Sequence, residues 1–312
     1  MIRTPRPTDV LAYVAFRNQT PDNEAVTTAG GKTIAPTIGA LLGGSLALNP
    51  RRERWVLVDQ GQIVGLVAAK ARSGADVWDV DELMAAPAAD ADRVYARLLE
   101  HLCGQAVEDG VQKVFLRLHE ESEATIAARQ AGFFRYTTEH VYHHADATPP
   151  TVALDELSPR RPVDHQALFQ LYSAAVPAFV RQVEGLTLQE WRWTDGWNVH
   201  PVLWRPVSPR RRDFVVREGS AIVAWLQVDL RARLLRLLVD AREAELARVV
   251  LAFGLAHLGS GGPVTLPLRE YQAALRPHLE EQGFELVARH ALLAKALAIR
   301  VPEGKMVPIR AS

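Results

Sequence analysis

The chain has 312 residues, 48% of them hydrophobic and 23% charged, which is enough apolar material for one large domain or two ordinary ones, and the usual domain size favours two. Its 36 basic residues balance its 36 acidic ones, so no overall field draws it to nucleic acid, a membrane surface or an acidic substrate. The single cysteine, Cys103, excludes an intrachain disulfide framework and a cysteine-based zinc cluster, and its helical surroundings mark it as a buried structural thiol.

In chain order, Met1 to Pro5 lack the apolar core of a signal peptide, and no later stretch reaches the ~20 apolar residues of a spanning helix. A cytoplasmic protein without a membrane partner is expected. The stretch Gln19 to Asn49, with its Gly30-Gly31 and Gly43-Gly44 pairs, reads as a connection or short helix, because neither pair makes a phosphate-binding fingerprint. Residues 55–61 and 62–71 then read as two strands meeting at a Gly-containing turn, followed by a third strand from Trp78 to Ala85. An amphipathic helix from Asp92 to Glu108 carries Val94, Leu98 and Leu102 at helical spacing and stops near Gly110. A strand at 113–118, a short helix at 122–130 closed by Gly132-Phe133, and an extended segment at 135–144 complete the set.

The same order recurs. Residues 213–219 and 221–228 repeat the hairpin, Leu234 to Asp240 the third strand, and Glu243 to Leu258 the helix. Residues 263–268, 273–282 with Gly283-Phe284, and 285–299 repeat the rest. The spacing between copies is 150 or 151 residues at the late elements and 159 at the hairpin, which places a longer hairpin or loop in the first copy. The predicted organisation is one domain at 1–146, a Pro-, Thr- and Asp-rich linker at 147–162, and a second domain at 163–312.

This order of elements, with a Gly-Phe pair closing the last helix, resembles the GNAT acyl-CoA N-acyltransferase superfamily. The resemblance implies an α/β (α+β) fold of two tandem GNAT-like domains, each a mixed, mostly antiparallel sheet flanked by helices. It also implies acetyl-CoA as cofactor, with the pantetheine arm paired to main chain at Leu83, Met84 and Ala85 in a V-shaped split of the sheet. The family's diphosphate loop, Arg/Gln-x-x-Gly-x-Gly/Ala, here reads Asp90-Ala91-Asp92-Arg93-Val94-Tyr95, without either glycine. Arg93 and Tyr95 are expected to add bulk there and the aspartates like charge, although Arg93 can also be read as a side-chain ligand for phosphate. The second copy reads Asp240-Ala241-Arg242-Glu243-Ala244-Glu245, also without glycine. Where many members carry a proton-donating tyrosine, the residues are Ala128 and Leu279.

Acyl transfer to an amine needs a base for the ammonium proton and donors for the developing oxyanion. Glu82, on the strand beside the expected cleft, is the first candidate base, with alternation placing Asp79 and Asp81 on the opposite face. His119, at the carboxyl end of the following strand, is the second. His140, His143 and His144 fall on both faces of a strand, so no metal site is expected. The aromatic and basic stretch Trp191 to Arg212 could stack on bases, but overall neutrality makes nucleic acid an unexpected partner.

Two functions stay open on these residues. One is an acetyl-CoA-dependent N-acetyltransferase acting through the first copy on a small-molecule or peptide amine, with the second copy shaping the acceptor cleft or a homodimer. The other is a GNAT-fold binding or scaffold protein that has lost CoA binding.

Overall fold

The structure, a computed structural model, describes residues 1–20, 23–26, 52–71, 76–87, 89–145, 157–185 and 211–298. The strands of the first half are β1 (Ile2–Arg3), β2 (Arg52–Asp59), β3 (Gln62–Ala71), β4 (Val77–Ala85), β5 (Lys113–His119) and β6 (Phe134–His144). Those of the second are β7 (Ser158–Pro159), β8 (Arg211–Glu218), β9 (Ala221–Asp229), β10 (Leu234–Val239), β11 (Val264–Arg269) and β12 (Glu285–Ala296). The helices are α1 (Val10–Gln19), α2 (Ala91–Glu108), α3 (Ala124–Gln130), α4 (His165–Ala175), α5 (Ala178–Glu184), α6 (Leu246–Leu258) and α7 (Arg276–Glu281).

Local chemistry accounts for these elements. Asp90 opens α2 by accepting from the Arg93 N–H at 3.3 Å, and the helix buries Val94, Leu98, Leu102 and Ala106 on one face. Gly65 lets that helix lie close on β3, since a Cβ there would stand 2.5 Å from Val94 Cγ1. The repeated Gly-Phe pair has a shared cause: Gly132 and Gly283 have φ of 85° and 83°, which end α3 and α7 and turn Phe133 and Phe284 into the two cores. The excess of residues in the first copy is shared between the β3–β4 hairpin, which spans 62–85 against 221–239 for β9–β10, and α2, 18 residues against 13 in α6.

The twelve strands of the described residues form one sheet in the order β1-β2-β3-β4-β5-β12-β6-β11-β10-β9-β8-β7. Both closing segments are strands, as expected, but they trade places. β12 runs antiparallel between β5 and β6, while β6, from the first half, pairs with β11 of the second. The main cores are correspondingly mixed: Ala291 and Leu293 of β12 pack with Leu98, Leu116 and Phe133 of the first half, and Tyr142 of β6 packs with Leu266 and Phe284 of the second. A boundary at 147–162 therefore divides the sequence but not the sheet.

A further repeat was not read from the sequence. Arg6-Pro7-Thr8-Asp9 and Arg161-Pro162-Val163-Asp164 each form a 3-10 turn in which the aspartate accepts from the arginine N–H, at 2.7 and 2.6 Å. Arg3 holds the first aspartate and Arg217 the second. Ser158–Pro159 already pairs with β8, so the end of the expected linker is part of the second half.

Candidate active site

Each half contains a place where two parallel strands diverge. β4 and β5 pair from Val77 to Asp79 with Lys113 to Phe115 and then separate; β10 and β11 share only Leu234 with Thr265. At Asp81 the register of β4 against β3 slips, Ala68 facing Glu82 and Ala69 facing Val80. This bulge defeats the expected alternation, because a bulged residue does not keep the pleat. Asp79, Val80 and Asp81 consequently line one cavity of about 200 Å³. Phe115, Leu116 and Arg117 of β5 form its second wall, and Lys70 and Val26 also border it. Tyr136 of β6, Arg269 of β11 and Leu292 and Leu293 of β12 close it, so both halves of the chain contribute.

Charge is arranged unevenly around this space. On the β4 side, Arg52 lies 3.1 Å from both Asp81 and Glu82, and Arg54 lies 3.0 Å from Glu82. Burial pushes the Asp81 carboxyl above its ordinary value, with Arg52 opposing that shift. On the other side, Glu139 serves two guanidinium groups, in contact with Arg117 and 3.4 Å from Arg269 Nε. Burial, aided by repulsion from Arg269 and Arg236, lowers the Arg117 pKa to about 9. Asp81 Oδ1, Arg117 Nε and Arg269 Nη1 are all buried with no hydrogen-bond partner among the described residues.

His290 of β12 stands 3.0 Å from Arg117 and is 2% exposed. Burial first, then the charges of Arg117 and His119, lower its pKa from 6.5 to about 3. The unfolded chain thus binds a proton between those values that the folded one refuses, so stability falls as pH drops through that window. The expected loss is about 1.4 kcal/mol per pH unit, or ~2 kcal/mol between pH 6.5 and 5. Urea denaturation of the natural protein and of His290→Asn will show the steeper acid decline in the former. Parallel curves would refute it.

The opening between β4 and β5 is spanned by residues 23–26. Asn23 donates to the Asp81 carbonyl at 2.9 Å and accepts from the Leu83 N–H at 2.8 Å. The Glu24 N–H reaches the Leu83 carbonyl at 3.0 Å, the Val26 N–H reaches the Arg117 carbonyl at 2.8 Å, and Ala25 bridges to Leu118. Ser122 donates to the Glu24 carboxylate while accepting from the Ala124 N–H. The segment is stitched to both lips of the split.

The expected site residues fall into three groups. Leu83, Met84 and Ala85 lie on β4 beyond its pairing with β5, and the main chain of Leu83 is already bonded to Asn23 and Glu24. Glu82 is on the same strand, yet at 3% exposure between Arg52 and Arg54 it is a structural counter-ion rather than an available base. His119 is exposed, its ring 4.7 Å from that of His290, and it does not line the cavity. Around α2, Arg93 is exposed, whereas Val94 and Tyr95 are in the core, so Tyr95 adds no bulk to the loop. What occupies the helix N-terminus is the Asp90 carboxylate. Asp240 does the same in the second half, accepting from the Arg242 N–H at 3.0 Å.

Other expectations fall away from the cavity. Ala128 and Leu279 are wholly buried, and burial raises the Cys103 thiol pKa. His140 lies against Arg276 and His144 against Phe284. Of the Trp- and Arg-rich stretch 191–212, all but Arg211 and Arg212 lies outside the described residues, as does most of 19–49. Sequence reasoning missed Asp81, Arg117, Arg269 and Asn23. A charged residue inside an otherwise apolar strand, as in Phe115-Leu116-Arg117-Leu118, was the available signal for one of them. No described helix is long and apolar enough to cross a membrane.

Comparison with solved structures gives the fold. No protein-family model matches the sequence, and no curated protein does. The fold is similar to that of a GCN5-related N-acetyltransferase from Sphaerobacter thermophilus, with a TM-score of 0.58, 16% identity and 95% of each chain covered. It is also similar to a tandem GNAT protein from the clavulanic acid biosynthesis pathway, with a TM-score of 0.51, 14% identity, and 95% of this chain and 98% of that one covered. The chain has the tandem GNAT fold.

Proposed function

We propose that the protein is an N-acyltransferase whose first half transfers an acyl group, with acetyl-CoA as donor, to a small amine. The observation that carries this reading is the cavity at the base of the β4–β5 split, with a buried carboxylate of raised pKa projecting from a bulge at its wall. Asp81 replaces Glu82 as the base. Its Oδ1, without a partner among the described residues, can accept a proton from an ammonium group, and the raised pKa improves it for that purpose. Phe115, Leu116, Leu292 and Leu293 limit water at the same place.

The fit to coenzyme A differs between its two ends. The Leu83 N–H and C=O are the donor and acceptor that a pantetheine amide takes, and Asn23 and Glu24 now satisfy them with amide groups of the same chemistry. The diphosphate end fits worse, because Asp90 caps α2 where bare N–H groups are needed. Bound coenzyme would supply an activated acyl thioester. The protein's own part is to vacate Leu83, orient the amine and take its proton.

Asn23→Ala removes side-chain bonds to Asp81 and Leu83, each worth about 1 kcal/mol, and so should make the edge of β4 easier to open. Isothermal titration with acetyl-CoA is expected to show affinity at least tenfold higher than in the natural protein. The occupied Leu83 edge also favours a second reading, a GNAT-fold binding protein without catalysis. Absence of binding heat in both proteins, together with no acetyl transfer to any amine, would select it.

A further inference from the structure

We propose that the cavity takes a small aminocarboxylic acid, whose carboxylate is held by Arg117 and Arg269 and whose ammonium group faces Asp81. This rests on the acyltransferase reading only for the fate of the amine; recognition of the molecule stands on the cavity itself.

A buried donor or acceptor without a partner is costly, and native structures tolerate few. Among the described residues, groups of both kinds without a partner belong to residues lining the same space: an acceptor, Asp81 Oδ1, on β4, and donors, Arg117 Nε on β5 and Arg269 Nη1 on β11, the Arg269 side chain being also hydrogen-bonded to Tyr136. A ligand with only an amine, or only a carboxylate, answers half of this demand.

Charge ranks the two halves. On the β4 side, Asp81 and Glu82 are balanced by Arg52 and Arg54, and Lys70 lies opposite Asp79 in the β3–β4 ladder. On the other side, Arg117, Arg236 and Arg269 lie near enough to repel, and the Arg211–Asp229 ion pair beside Arg236 adds no net charge. Against them stand Glu139, shared by two, and Glu184, whose charge Arg269 also feels. Cationic charge exceeds anionic charge there, so a ligand carboxylate completes the arrangement, with guanidinium groups suited to receive it. Apart from Tyr136, the remaining wall is apolar: Val26, Val80, Phe115, Leu116, Leu292 and Leu293. A volume of about 200 Å³ suits a molecule with a short hydrocarbon chain, not a peptide or a sugar nucleotide.

Four matched probes test this on the intact natural protein without coenzyme: L-norvaline and 5-aminopentanoic acid, which carry both charges at different separations, pentylamine, and pentanoate. Titration calorimetry is expected to show binding of at least one of the first two. Relative to the better of them, pentylamine should bind at least 100-fold more weakly and pentanoate about tenfold more weakly. Arg269→Gln should remove the preference over pentylamine, and Asp81→Asn the preference over pentanoate. Equal affinity for pentylamine, or no binding of either aminocarboxylic acid, would overturn the proposal whether or not the variants fold. Acetyl transfer is measured separately. If an aminocarboxylic acid binds as expected but is not acetylated, this proposal stands and the acyltransferase reading falls. If pentylamine is acetylated with the same kcat/KM as the aminocarboxylic acids, the reverse holds.

Discussion

Residues 1–145 expressed alone will not fold, although they contain a complete set of the elements that the sequence repeats. Within that fragment β6 has no partner, since its neighbours in the sheet are β11 and β12, and the first core loses Ala291 and Leu293. Burying a leucine contributes about 1.5 to 3 kcal/mol, and a whole domain is stable by only about 5 to 15 kcal/mol. Loss of a buried strand with Leu292 and Leu293, and of its ladder on both sides, exceeds that margin. Circular dichroism should find a cooperative thermal transition in the full chain and none in the fragment, and co-expression with residues 146–312 should restore it. A sharp melt from residues 1–145 alone would mean that the exchange of β6 and β12 is dispensable.

Asp81→Asn should reduce kcat/KM for acetyl transfer by roughly 10² to 10⁴, the range lost with a general base, while changing stability little, because the carboxylate it replaces is costly to keep charged when buried. Glu82→Gln should do the opposite. It leaves Arg52 and Arg54 without their shared counter-ion, and breaking a buried pair costs about 3 to 5 kcal/mol. Turnover per folded molecule should be preserved. Urea denaturation and initial rates on both variants separate the roles, and a rate that collapses in Glu82→Gln but not in Asp81→Asn would return the proton-transfer role to Glu82.

The repeat was legible because each element carries its own signal: apolar runs on either side of a Gly-containing turn in β2 and β3, helical period in α2, a glycine forced to positive φ before each closing phenylalanine. The exchange of β6 and β12 was not, since the period of a strand tells which face is buried but not which strand lies beside it. At the site, strict alternation paired Val80 with Glu82, and the bulge at Asp81 made that inference wrong by one residue. Tyr95 was misplaced for the contrary reason. The loop pattern drew attention to it, yet its spacing to Leu98, Leu99 and Leu102 already put it on the buried face of α2. The part played by Asn23 depends on a contact across about 60 positions in sequence, which no local pattern contains.

The exchanged strands also fix a timetable for the protein's birth. After β6 leaves the ribosome, about 140 further residues must be made before β12 exists, which at ~5 to 20 residues per second means a wait of roughly 7 to 28 s. Throughout that interval the apolar segments of the first half have no stable core to enter and stay exposed to neighbouring chains. Nascent chains of this protein therefore depend on being shielded, and slowing synthesis within the second half would lower the yield of a first half that had already been translated without error.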